Sequence, residues 1–241
     1  MTFTTVESIF NRVAVEVGLP RQTDPFVAAP LDPNADQLLT LLTSCGQELT
    51  TVFDWSQLRR EHTFPTVASQ EAYDLPAGFG RMVNQTGWSR TTRFPYDALS
   101  AQQWQGMKAW GLGIAPIFLS FRLAAGKFNI APAPLTIETL AFEYESSYWV
   151  AAAGAATTSK EEPTAKTDVV WFDPLLITRL LKLRFLQAKA MDSTAAQIEY
   201  ERTLDNLIGR DRAAPIISIS GPPKEPKMLD EDNLPETGFG A

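Results

Sequence analysis

The chain has 241 residues, 44% of them hydrophobic, one cysteine and a formal net charge of −7, which is length enough for one sizeable core or two modest ones. Cys45, with only His62 beside it, excludes an internal disulfide framework and any Cys/His zinc set, and the acidic balance excludes a general duplex-binding surface, which must neutralise phosphates with clustered Lys and Arg. No apolar run approaches the roughly 18 residues of a membrane span, and Glu7 near the start argues against a signal peptide, so the expectation is a soluble protein made in the cytoplasm.

Thr4 and Glu7 form a capping-box pattern around Val6, and Ile9, Val13 and Val17 then recur at helical spacing before Gly18. A Pro-rich connection over 19–33 follows. Asp32 supplies a cap and Pro33 a first-turn residue for a second helix carrying Leu38, Leu41, Leu42, Cys45, Leu49 and Val52. From Trp55 the pattern changes to short β-like runs broken by Gly and Pro, at 63–67, 72–75, 81–85, 91–94, 117–123 and 127–130. Ala124, Ala125 and Gly126 join the last two as a hairpin, and Ser100 caps a small helix bearing Trp104 and Met107. The final strand spans 137–148, with Leu140, Phe142 and Tyr144 on one face and Glu143 and Glu145 on the other.

Residues 151–166 read as a small-residue and charged loop with nothing to bury. Asp173 and Pro174 then open a long helix with Leu175, Leu176, Leu180, Leu183, Leu186 and Ala190, apolar around more than one face and ending near Met191. Ser193 starts another, with Ala196, Tyr200, Leu204, Leu207 and Ile208 on one face, so the two make an antiparallel helical hairpin. After Pro215 come Ile216, Ile217, Ser218, Ile219, Ser220 and a Pro- and acid-containing tail that has no core of its own.

The expected fold is α+β: a bundle of about four helices packed with an antiparallel β-domain inserted between the N-terminal and C-terminal helices, plus an extended arm. Residues 1–53 give the N-terminal helices, 54–166 the β-domain, 167–212 the C-terminal helical hairpin and 213–241 the arm. Charge follows this division. Residues 78–134 hold Arg81, Arg90, Arg93, Lys108, Arg122 and Lys127 against Asp97, whereas the N-terminal helices and the arm are acidic.

Chemistry-bearing patterns are weak. Glu143 and Glu145 share one strand face as a glycosidase pair would, but charged residues on an outward face account for them. His62 lacks a second histidine or a nucleophile and reads as a surface or strand-edge residue. Gly78, Gly80, Gly111 and Gly113 are turn glycines, none between a strand and a helix as a phosphate cradle requires. Asp230, Glu231 and Asp232 lack the fixed spacing of a calcium loop. No catalytic residue, metal site or cofactor is expected, and the protein is read as structural. Trp55, Trp88, Trp104, Trp110, Trp149 and Trp171 sit near element ends, where they suit core packing, subunit contacts or a sugar-binding face. They sustain one alternative, a carbohydrate- or receptor-binding tail module.

Three stretches carry a resemblance: the run from Asp54 through Trp55 and Leu58 to Arg60; Tyr73, Leu75, Pro76 and Phe79 followed by Arg81; and Ile130 to Pro134 ahead of Glu143, Tyr144, Glu145 and Trp149. In this order, followed by paired C-terminal helices, they resemble the head-to-tail adaptor (connector) proteins of tailed bacteriophages, including the tail tubular protein A-like group, over roughly residues 35–210. The resemblance implies a virion protein at the head-tail junction, a homo-oligomeric ring generally of twelve copies beneath the portal, and a genome passing through its channel with transient, non-specific contact. Its partners would be other copies of itself, the portal protein and a downstream tail or nozzle protein, with no membrane. Within that frame Leu176, Leu180 and Leu183 are the expected subunit-subunit contacts, Ile216, Ile217 and Ile219 the portal contacts, and Arg90 and Arg93 the contacts with the next tail component.

Overall fold

Thr5 rather than Thr4 caps the first helix, its Oγ1 accepting from the Ser8 N–H at 3.4 Å. The computed structural model describes residues 4–28, 32–109, 119–153 and 159–211. Ahead of the inserted strands lie β1 (Thr4–Thr5), α1 (Val6–Glu16), α2 (Pro25–Ala28) and α3 (Pro33–Val52), then a 3-10 turn (Ser56–Leu58). The middle of the chain holds β2 (Arg59–Pro65), β3 (Ala72–Asp74), β4 (Phe79–Met82), β5 (Trp88–Ser89), β6 (Asp97–Ala98), α4 (Ala101–Ala109), β7 (Ser120–Ala124), β8 (Lys127–Ala131) and β9 (Thr139–Ser146). The chain then returns through β10 (Val150–Ala151), β11 (Ser159–Lys160) and β12 (Val169–Val170) to α5 (Pro174–Ala188) and α6 (Thr194–Asp211), completing an α+β fold.

Helix ends follow local chemistry. Asp32 accepts from Asn34 N–H ahead of Pro33, and Asp173 accepts from Leu175 and Leu176 N–H ahead of Pro174. Ser100 and Gln103 cap α4 reciprocally. α1 and α5 stop in the same way. Leu19 N–H reaches Ala14 C=O and Gly18 N–H reaches Val15 C=O, while Met191 N–H reaches Leu186 C=O and Ala190 N–H reaches Gln187 C=O. The left-handed residue is Gly18 at φ 80° in the first and Ala190 at φ 54° in the second.

The helices share one core. α5 lies against α1, α3 and α6, and its Leu176, Ile177, Leu180, Leu181, Leu183 and Phe185 are all buried there. Arg184 clamps Glu48 of α3 through two bonds at 3.1 and 2.6 Å, Lys182 reaches Glu16 of α1 at 3.2 Å, and Arg179 donates to Glu199 C=O and Thr203 Oγ1 of α6. Most of the apolar surface on α5 is therefore consumed inside the chain, with Leu175 in its first turn left exposed. Cys45 belongs to this core, and burial, reinforced by Glu48, pushes its thiol up to about 12.

A second core fills the space between two four-stranded sheets. One has the order β2-β9-β4 with β5 also on β9; the other has the order β3-β8-β7-β6. Phe121, Phe128 and Phe142 stack in a column, with centroids 4.9 and 5.3 Å apart and planes within 7° and 4°. Among the described strands β6 against β7 is a parallel pair, a departure from the all-antiparallel expectation. Residues 91–94 form a turn instead of a strand: Arg93 has φ 62° and its N–H bonds Ser89 C=O. The β7–β8 connection is a two-residue turn, Ala125 and Gly126, both left-handed at φ 53° and 71°, which matches the twist of the hairpin.

Residues 151–166, expected as loop, carry strand pairs. β1, β12, β10 and β11 form a small sheet joining the chain's beginning to its return from the β-domain. Its anchor is Asp168, a buried carboxylate that accepts from Lys160 Nζ at 3.1 Å to both oxygens and from the N–H groups of Thr164 and Ala165 at 2.8 and 2.9 Å. Burial alone would raise this carboxyl, but those donors and the ammonium outweigh it and hold it below the ordinary carboxylate value.

Candidate functional site

β9 works as a strut between the two cores. Its last residues lead to Trp149, fully buried among the helices and stacked near Phe172 at 6.1 Å. Beside that end Arg81 of β4 bridges Asp54 at 2.5 Å and Glu145 at 3.1 Å. Arg81 bonding draws the Asp54 carboxyl down, whereas burial and the Asp54 charge push Glu145 up. The first residue of β9 lies roughly 23 Å from its last, seven steps at the rise of a strand.

Three loops meet at that distant end. Thr66 N–H donates to Glu138 C=O at 2.7 Å, Ser69 N–H to Pro134 C=O at 2.8 Å, Arg90 N–H to Thr139 C=O at 2.7 Å, and Ser89 Oγ to Glu138 Oε2 at 2.9 Å. These bonds brace 66–70, 89–94 and 132–138 into one tip, so the side chains they leave outside are held rather than free to fold back. Leu135 is 75% exposed, Ile137 70%, Val67 53% and Phe94 44%. Large apolar side chains turned outward on a rigid platform are what a docking surface offers and what a monomer's stability does not need.

Arg90 and Arg93 belong to this tip. Both are exposed; Arg90 Nη2 pairs with Glu61 at 2.7 Å, and Arg93 sits in the left-handed turn. Leu176, Leu180 and Leu183, expected to face a neighbouring copy, are buried within the chain's own core, which leaves them no surface for that contact. Ile216, Ile217 and Ile219 lie outside the described residues, as do Trp110, Gly111, Gly113 and the acidic run at Asp230. Leu135 stands directly after Pro134 and Ile137 at the start of the expected strand over 137–148, so neither carries a local sign of exposure; their alternate spacing right after Pro134 is the one available signal.

Other candidates resolve into structure. His62 stacks on Phe64 at 5.3 Å and meets Phe142 edge-on at 5.4 Å, and burial lowers its pKa. Glu145 is held by Arg81, and Glu143 pairs in register with Glu61 across β2. Trp55, Trp104 and Trp149 are buried and Trp88 and Trp171 half-buried, so no described tryptophan offers an open platform for a sugar ring. Among the described residues no group of three His, Cys, Asp or Glu side chains is placed to hold a metal ion, and no helix is long and apolar enough to cross a membrane.

A model of the family described as SU10 adaptor protein matches residues 4–219, which takes in both cores and the first residues beyond α6. No curated protein matches the chain.

Proposed function

The chain belongs to the SU10 adaptor protein family, a phage adaptor-type family whose members are virion components, and from that premise we propose that it is a head-to-tail adaptor. It is a structural, non-catalytic protein that assembles as a dodecameric ring beneath the portal, joins capsid to tail and lines the channel through which the genome passes. The observation that carries this reading is the strut: β9 holds a helical core at one end and, at the other, a braced tip with Leu135 and Ile137 outward. A protein that links two assemblies needs two separated, rigid contact ends. We assign the helical end, with the arm over 213–241, to the portal, and the tip, with Arg90 and Arg93, to the next tail component. The acidic net charge of −7 suits a channel wall that must not retain phosphate.

Mixing the purified chain with assembled portal and measuring mass and negative-stain images tests the proposal. Rings seated on the portal are expected. A monomer that leaves the portal bare overturns it.

A further inference from the structure

Three buried hydroxyls tie the tip together. Thr66 is buried, and its Oγ1 accepts from Glu138 N–H at 2.8 Å while donating to Thr136 C=O at 3.3 Å, so it holds both neighbours of Ile137. Ser89 is buried as well. Its Oγ accepts from Thr92 N–H at 3.2 Å and donates to Glu138 Oε2 at 2.9 Å, which joins the turn carrying Arg93 to the same segment. Tyr73 packs its ring against Phe64, with centroids 5.2 Å apart; its hydroxyl accepts from Val67 N–H at 2.9 Å and shares its proton between Val67 C=O at 3.2 Å and Gln70 C=O at 3.0 Å.

Side chains of similar shape would fill these places without burying a hydroxyl: valine for Thr66, phenylalanine for Tyr73, alanine for Ser89. What the hydroxyls add is order. Each grips backbone groups that lie outside the strands, and together they set Val67, Leu135, Ile137 and Arg93 in one fixed pattern. A surface arranged in advance loses little freedom when a partner covers it.

Charge decides what can cover this one. The charged residues of the three loops are Arg90, Arg93 and Glu138. Arg90 is paired with Glu61 at 2.7 Å and Glu138 is held by Ser89, which leaves the exposed Arg93 to meet a partner. Two copies meeting tip to tip would bring their arginines together, a like-charge contact that an interface avoids.

We propose that the tip is a preformed plug for a protein other than this chain, whose socket is apolar where Leu135 and Ile137 enter and carries a carboxylate for Arg93, with Thr66, Tyr73 and Ser89 as its positioning residues. The socket belongs to the next tail component, and in this the proposal rests on the adaptor reading.

Headless tails purified from the same phage are the probe, and their binding to portal-seated rings of the full chain is followed in time by interferometry. Thr66→Val, Tyr73→Phe and Ser89→Ala should each weaken tail binding at least about tenfold while rings still form on the portal. Thr66→Ser, which keeps the hydroxyl, should bind as the native chain does. Arg93→Glu should slow association about tenfold at low salt, Arg93→Lys should not, and the native rate should fall as salt rises. Tails that bind the native chain and every variant equally overturn the proposal and leave the adaptor reading standing; tails that ignore the native chain, in rings or free, overturn both. Capture by phosphatidylserine vesicles that is lost in the double variant Leu135→Ser, Ile137→Ser would assign the tip to a lipid surface. A mass that rises with concentration and falls back in the same variant would assign it to a second copy. Either result overturns the proposal.

Discussion

Gly46 on α3 lies flat against the indole of Trp149: a Cβ built on it falls 2.1 Å from both Cε2 and Cζ2 of that ring. No side chain beyond hydrogen fits there, so the closeness of α3 to the end of β9 depends on this one residue. Gly46→Ala must push the ring out of a packed core and should lower stability by about 1–3 kcal/mol, although alanine is the better helix former. Urea unfolding followed by circular dichroism reads the loss, and an unchanged midpoint would show that the indole has somewhere else to go.

Asp168 should be the most sensitive carboxylate. Asp168→Ala leaves Lys160 without its partner and frees the loop that holds β11, at about 3 kcal/mol. The sign with pH follows from its lowered pKa: the native chain keeps this contribution above pH 4 and loses it as pH falls through the folded value. The variant should therefore show a flatter acid limb in thermal melts taken from pH 6 to pH 3.

His62 gives the opposite end of the acid range its slope. Its folded pKa lies below the ordinary 6.5 because burial disfavours the imidazolium, so the unfolded chain takes up the proton first. Stability should hold above pH 6.5 and decline as pH falls below it. His62→Gln should flatten melting temperatures between pH 7.5 and pH 5.5; a slope equal to that of the native chain would mean that another group sets it.

Two alanines occupy places made for glycine. Ala125 and Ala190 both sit in the left-handed region, at φ 53° and 54°. Ala125→Asn and Ala190→Gly should each stabilise by about 0.5–1 kcal/mol, and the two gains should add because one turn closes the β7–β8 hairpin and the other ends α5. Differential scanning calorimetry of the single and double variants checks both statements.

At the tip, Leu135→Ser with Ile137→Ser removes apolar surface that the monomer does not bury. Stability should stay within about 0.5 kcal/mol, and ring formation on the portal should persist. Attachment of the next tail component should fail, as read by co-sedimentation with portal-bound rings. Retained attachment would move that contact away from Leu135 and Ile137.

Local chemistry explains what was legible in the sequence. Asp32 with Pro33, Asp173 with Pro174, and Ser100 with Gln103 announce helix starts because the bonds they make span at most three residues. The alternation of Leu140, Phe142 and Tyr144 announced β9 for the same reason. What failed was non-local. β10 lies between β11 and β12, whose Val169 and Val170 it faces, and β12 pairs in turn with Thr4 and Thr5, which no window of neighbours reveals. The β-branched Thr91 and Thr92 suggested a strand, yet Thr91 Oγ1 accepts from Thr139 N–H and Arg93 turns left-handed, so the segment braces a strand without joining one. The all-round apolar surface of α5 was visible, but three covering helices inside the chain and one partner outside it leave the same composition.

The small sheet that seats Thr4 and Thr5 beside Val169 and Val170 also sets an order of events during synthesis. The phenylalanine column is complete once residue 142 has left the ribosome, whereas α1 and α3 must wait for α5, some 120 residues further along the chain than the end of α3. The first helices to be made are thus among the last to find their neighbours. Their outward faces carry exposed Arg12, Glu16 and Asp36, so it is chiefly their inward apolar faces that stay uncovered during that interval. A nascent chain stalled with residues 1–150 outside the ribosome should already protect β9 from protease while α1 and α3 remain open to cleavage.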